Sequence, residues 1–297
     1  MNTTRTATRH CAVWWAVGLM LSTPAIAHAA DDSEASLQAS SPVPVNDNRI
    51  AALWSVIPGP ASDDTPQIRR DCTASFLGDH FWLTAHHCIS HAPMMDGFLQ
   101  QPDGEHAGIA AIYTMSDSDD VALIKTGDGI NADSFSLADH PLQVGEHALL
   151  TGYGQTHDFA STATTVITDT VASLDFGNVT YTDLFKGKAV TESRSCSGDS
   201  GAPIFKDNTL YAVHTAGGYN PACSDGRDKP MWHTNIVSRA TWITQTMADN
   251  AGLSPQEQRK AAVGLSHAPT STSAPDKDAP SPIKPSHDAG LSSWGSS

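Results

Sequence analysis

The chain has 297 residues, of which 17 are Lys or Arg and 32 are Asp or Glu, giving a formal net charge of −15. That balance argues against nucleic acid or an anionic membrane surface as a partner, because both need a basic face. The length leaves room for a folded region of about 200 residues with a sizeable core.

Residues 11 to 27 are largely apolar, follow Arg5 and Arg9, and run into Ala27-His28-Ala29, a small-x-small cleavage pattern. Residues 1–29 therefore read as a secretory signal peptide. A membrane anchor is the competing reading, but the apolar run is short for a span and carries a cleavage pattern. No later stretch is long and apolar enough to cross a bilayer. Residues 30–49 are rich in Asp, Ser and Pro without periodicity and read as a pro-segment or linker. A folded domain is expected over 50–252. Up to about residue 237 it consists of short apolar runs broken by Gly, Asp, Asn and Pro. Examples are Phe81-Trp82-Leu83-Thr84, Val121-Ala122-Leu123-Ile124, His147-Ala148-Leu149-Leu150 and Leu210-Tyr211-Ala212-Val213. This spacing predicts an all-β barrel or sandwich. A helix is predicted over about 239–251, with Trp242, Ile243, Thr246 and Met247 on one face. Residues 253–297 change to Ser, Pro, Ala, Lys and Asp and are expected to be a disordered tail.

Of five cysteines, Cys11 leaves with the signal peptide, so Cys72, Cys88, Cys196 and Cys223 remain. An even number in an exported chain suggests disulfides, and four cysteines allow three pairings. A zinc site is the competing reading. It is disfavoured because no C-x-x-C pair occurs and the 14 histidines form no H-E-x-x-H run.

Three segments carry chemistry. Gly198-Asp199-Ser200-Gly201-Ala202 offers a serine in a glycine-rich turn, where backbone N–H groups can converge on one point. A serine hydroxyl is a poor nucleophile near neutrality and needs a base and donors for the oxyanion it creates. Leu83-Thr84-Ala85-His86-His87-Cys88 supplies two candidate bases. Asp119-Asp120-Val121-Ala122-Leu123-Ile124 runs an acid into an apolar strand, where a buried carboxylate can orient an imidazole. Asp120 is preferred because it abuts the strand, and Asp117 and Asp119 read as a solvated acidic loop.

These segments resemble the motifs of the trypsin/chymotrypsin-like serine proteases, in the same order of His, Asp and Ser. Thr84-Ala85-His86-His87-Cys88 is similar to T-A-A-H-C, Asp120-Val121-Ala122-Leu123 to D-[IV]-A-L, and Gly198-Asp199-Ser200-Gly201-Ala202-Pro203 to G-D-S-G-G-P. Leu150-Thr151-Gly152-Tyr153-Gly154 resembles V-x-G-[WY]-G, and Trp242-Ile243 the W-I pair of the terminal helix. The likeness runs from about residue 50 to about residue 250. It implies two six-stranded antiparallel β-barrels with a C-terminal helix, and His87, Asp120 and Ser200 as the triad. His87 is chosen over His86 because the family histidine immediately precedes the cysteine. His86 stands where the family has a small packed residue and is expected to be hydrogen-bonded beside the base. The resemblance further implies oxyanion donors at Gly198 and Ser200, and disulfides Cys72–Cys88 and Cys196–Cys223. In the family the acid before the serine, here Asp199, pairs with an amino group released by zymogen cleavage. The nearest candidate is cleavage after Arg49, exposing Ile50, although the usual I-V-G-G start is absent.

The resemblance also places Arg194 at the base of the specificity pocket and His214, Thr215 and Gly217 on one wall. Ser197 and Thr215 are expected to add hydroxyl donors, and His233 to approach from a third wall. A histidine at the place of His214 recurs in bacterial glutamate-specific members. An Arg fork with a His suits a carboxylate; the competing reading has Arg194 in solvent and His214 as a satisfied core histidine. The sequence thus predicts a secreted, monomeric serine endopeptidase, extracellular or periplasmic, similar to the bacterial glutamyl endopeptidases. It is expected to act on protein or peptide substrates, with acidic residues preferred before the scissile bond. No cofactor, metal, nucleic acid or membrane partner is expected after signal removal. The alternatives are an inactive protease-like binding module, or a protease preferring small or aromatic residues.

Overall fold

Alternation of side chains across a strand is visible in the burial itself. In the computed structural model, Ser161–Ile167 alternate buried and half-buried. The structure describes residues 42–59, 65–90, 94–154, 157–190, 196–217 and 229–252. The expected signal peptide and tail, most of the pro-segment, Arg194 and Cys223 lie outside the described residues.

The first sheet contains β1 (Ile50–Ile57), β2 (Gln67–Gly78), β3 (Phe81–Thr84), β4 (Phe98–Gln100), β5 (His106–Thr114) and β6 (Ala122–Thr126). It closes into a barrel in the order β1-β2-β3-β6-β5-β4. The second contains β7 (Ser136–Leu137), β8 (His147–Gly152), β9 (Ser161–Phe176), β10 (Val179–Ala189), β11 (Pro203–Lys206), β12 (Thr209–Gly217) and β13 (Pro230–Asn235). Its order is β11-β8-β9-β10-β13-β12, closed by β11 pairing with β12, and the short β7 adds in parallel to β12. The molecule is thus two six-stranded antiparallel barrels followed by a helix, as the family resemblance implies. Closure removes the exposed sheet edges that invite aggregation.

The core cluster around the first barrel includes Leu53, Phe81, Leu83, Leu99, Ile109, Leu123 and Ile124, all essentially without exposure. Each such side chain is worth roughly 1.5–3 kcal/mol of apolar burial. The C-terminal helix α2 (Ala240–Asn250) follows a 3-10 turn over Val237–Arg239. Its buried face is the expected one, with Ile243 in the core and Trp242 and Met247 packed beside it. Lys125 on β6 ends the helix by donating to the carbonyls of Asn250 at 2.6 Å and Ala251 at 3.1 Å. A cation at those unpaired carbonyls also complements the helix dipole.

Cys72 on β2 and Cys88 form a disulfide. Cys196 is disulfide-bonded as well. Ile50 does not suit the activation role. It is the buried first residue of β1, opposite Ser75, and its N–H donates to the Asp47 carbonyl. Arg49 is equally engaged. Its guanidinium pairs with Asp47, donates to the Asp207 carbonyl and to Asn208, and stacks over Phe135 at 4.2 Å. The Arg49–Ile50 bond lies at the start of β1, between a side chain held by Asp47 and Asn208 and one buried in the core.

Candidate active site

Strand register brings the base and the acid together. β3 and β6 are antiparallel, with Thr84 opposite Ala122. The chain leaving β3 therefore passes the chain entering β6. His87 opens the short helix α1 (His87–Ser90) just after β3, and Asp120 lies just before β6. Asp120 has no side-chain exposure, whereas His87 keeps 22%. The carboxylate accepts the His87 backbone N–H at 2.9 Å and stands 2.9 Å and 3.0 Å from Nδ1. An ionised carboxylate only accepts, so the Nδ1 proton is fixed there and Nε2 carries the free lone pair. Nε2 lies 3.9 Å from Cys88 Sγ. That sulfur, with Cys72 and His87, forms a cluster of ligand-type atoms, but a disulfide offers no thiolate to a metal.

Ser200 sits in the turn before β11, and Thr73 on β2 donates its N–H to the Ser200 carbonyl at 2.8 Å. Gly198 has a φ of 103°, and an added Cβ would lie 2.2 Å from the Tyr153 carbonyl oxygen. Only glycine fits there. Neither the Gly198 nor the Ser200 N–H is spent on a hydrogen bond among the described residues. The Ser200 hydroxyl also has no hydrogen-bond partner among the described residues, so no bond joins it to His87. Asp199 is fully buried and accepts the Cys196 N–H at 3.0 Å. Gly152 makes room for that carboxylate, since a Cβ there would come within 2.7 Å of it.

The acidic loop is not all solvated. Asp117 is exposed, but Asp119 is held by Arg239, whose guanidinium is 3% exposed and approaches it at 2.6 Å. Arg239 also donates to the carbonyls of Asn235 at 2.6 Å and Thr182 at 2.8 Å. This network anchors the residue next to Asp120, and its charge was invisible as a partner in the sequence. His86 is half-buried and its ring makes no hydrogen bond among the described residues, contrary to expectation.

Among the residues expected around the specificity pocket, Ser197 is exposed and Gly217 closes β12. Thr215 does not present a free hydroxyl. It is buried and shares a 2.7 Å hydrogen bond with Thr234. His233 does not reach a pocket wall either, having no exposure. It meets His214 instead, Nδ1 to Nδ1 at 3.1 Å. His233 Nε2 is buried without a partner. A buried orphan N–H is costlier than a bare lone pair, so the favoured tautomer has His233 donate Nδ1–H to His214. His214 then carries its proton on Nε2. A cavity of about 300 Å³ lined by Trp54, Arg70, Gln101 and Tyr153 touches none of these groups.

Burial pushes the His233 imidazole well below its ordinary range, and His214 reinforces this. The unfolded imidazole binds a proton near pH 6.5 while the folded one resists it. Stability is therefore complete above that pH and falls as pH drops toward the depressed folded value, by up to about 1.4 kcal/mol per unit. Urea titrations from pH 7 to 5 should show this slope, and His233→Leu should flatten it. An unchanged slope in the variant would assign the acid sensitivity elsewhere.

The trypsin family model matches residues 64–243, more than half of the chain. Human kallikrein-8 is 28% identical over 204 residues, covering 58% of this chain and 75% of that protein. Among solved structures, neuropsin, a serine protease expressed in the limbic system of mouse brain, superposes with a TM-score of 0.51 at 21% identity, covering 69% of this chain and 96% of its own. The scabies mite inactivated protease paralogue S-I1 gives 0.54 at 21% identity, covering 70% and 98%. At such identities the two structures speak for the fold alone.

Proposed function

The chain belongs to the trypsin family, and from that premise we propose that it is a serine endopeptidase working through an acyl-enzyme. The observation that carries the reading is the buried Asp120 carboxylate, which holds both the backbone N–H and Nδ1 of His87. Nε2 is thereby free to take the Ser200 proton. Ser200 Oγ attacks the scissile carbonyl, and the oxyanion meets the N–H groups of Gly198 and Ser200. His87 then returns its proton to the leaving amine, water replaces the amine, and the same groups release the acid. The Ser200 hydroxyl and Nε2 come into hydrogen-bond reach as substrate binds, a tightening common in Michaelis complexes. The Cys72–Cys88 disulfide supports an oxidising compartment, outside the cytoplasm. Among the described residues, no helix is long and apolar enough to cross a membrane.

The substrate side chain before the scissile bond is proposed to be Glu or Asp. The family resemblance supports this, since a histidine at the place of His214 recurs in glutamate-specific members; His214 itself is buried, its Nδ1 3.1 Å from that of His233. Cleavage profiling on a random peptide library is expected to favour Glu and Asp, and His214→Ala to lower kcat/KM for them by tenfold or more. Equal cleavage after Phe, Ala or Lys would refute the preference and leave the protease reading standing.

A second reading, a peptide-binding module without hydrolytic activity, is favoured by the missing bond between Ser200 and His87. A fluorophosphonate probe separates the two, since only an activated serine reacts.

A further inference from the structure

Both residues proposed as oxyanion donors give their carbonyl to a single residue of the other barrel. Thr73 Oγ1 donates to the Gly198 carbonyl at 2.7 Å. The Thr73 N–H donates to the Ser200 carbonyl at 2.8 Å. Thr73 is fully buried on β2, next to the Cys72 half of the disulfide beside His87. Its hydroxyl has a second role as acceptor for the Tyr153 N–H at 3.0 Å, at the end of β8. Its carbonyl accepts the Thr84 hydroxyl at 2.8 Å, three residues before His87. One residue thus joins the strand that leads to the base, through its carbonyl, to the turn that carries the nucleophile and to the end of β8, through its hydroxyl and N–H.

We infer that Thr73 is a positioning residue, whose hydroxyl holds the Gly198–Ser200 turn in the shape that receives the oxyanion. This rests on the protease reading. The peptide plane that follows Gly198 is held at its carbonyl by the hydroxyl and at its N–H by the Cys196 carbonyl, 2.9 Å from Asp199 N. The plane that follows Ser200 is held by the Thr73 N–H and, through the Gly201 N–H, by the His214 carbonyl. Gly198 has no side chain to restrain it and sits at a positive φ, so its carbonyl needs an external anchor. Without the hydroxyl, the Gly198 carbonyl and the Tyr153 N–H are both left buried and unpaired. The Gly198–Asp199 peptide then keeps its hold on the Cys196 carbonyl through the Asp199 N–H but loses the hold at its own carbonyl, so it tilts and disturbs the flanking planes that carry the Gly198 and Ser200 N–H donors. Preorganised donors act mainly on the transition state, so the loss belongs in kcat rather than in substrate binding.

The test uses the mature protein with Thr73→Val and Thr73→Ser. Three quantities are measured: kcat, KM, and the affinity for a peptide trifluoromethyl ketone, which adds Ser200 and forms an oxyanion. Thr73→Val should lower kcat about 10- to 100-fold with KM within about threefold, and weaken the ketone in proportion. Thr73→Ser, which keeps the hydroxyl, should recover most of both losses. The affinity of uncleaved substrate, read by pairing each variant with Ser200→Ala, should not change. A Thr73→Val protein with wild-type kcat and ketone affinity would overturn the inference. So would a loss that falls equally on substrate affinity, or one that serine does not rescue, since that marks general damage to the fold. A wild-type chain that neither cleaves peptide nor forms the ketone adduct would instead overturn the protease reading beneath it.

Discussion

Replacing Ser200 with alanine is expected to lower peptide hydrolysis about a million-fold, leaving only what binding and the oxyanion donors supply. His87→Ala should cost nearly as much, because the two groups act as a unit and their losses do not add. Neither change should unfold the protein. The Ser200 hydroxyl has no hydrogen-bond partner among the described residues, and His87 keeps partial exposure. Thermal unfolding should therefore be nearly unchanged in Ser200→Ala. The neighbouring histidine provides the control. His86 makes no ring hydrogen bond among the described residues, so His86→Ala should retain activity within about tenfold. A dead His86 variant beside an active His87 variant would reassign the base.

Asp120→Asn should reduce kcat about ten-thousand-fold with little change in KM. The substitution nearly preserves shape, so the turn at the mouth of β6 should persist. What changes is hydrogen-bond polarity. The carboxylate accepts both the backbone N–H and Nδ1–H of His87. An amide has one accepting oxygen, and with that oxygen on the backbone N–H its NH2 faces Nδ1. The imidazole then carries its proton on Nε2 and cannot take one from Ser200. Retention of more than a tenth of wild-type kcat would mean that Asp120 does not set the tautomer.

The strands were legible where apolar runs were short and bounded. Phe81–Thr84 and the run within His147–Gly152 appear as strands, and the helix face from Trp242 to Met247 packs as its spacing demands. Barrel closure was not in those runs, because register depends on partners far apart in sequence. It came from the family resemblance. The contact between His87 and Asp120 has the same origin, since Thr84 must pair with Ala122 before the two can meet. The errors are also long-range. Asp119 looked solvated because its partner, Arg239, lies 120 positions away. Thr215 and His233 looked like pocket donors because sequence does not show which side of β12 and β13 faces the interior. Thr73 belongs to no motif beside Cys72, and only its contacts single it out.

The central claim is that His87, oriented by Asp120, activates Ser200. The most direct measurement is fluorophosphonate labelling of the mature protein, followed by peptide mapping of the adduct, in wild type and in the Ser200→Ala and His87→Ala variants. One adduct per chain is expected on Ser200, none in Ser200→Ala, and labelling slowed by several orders of magnitude in His87→Ala. A folded wild-type protein that takes no label, or takes it at another residue, would contradict it.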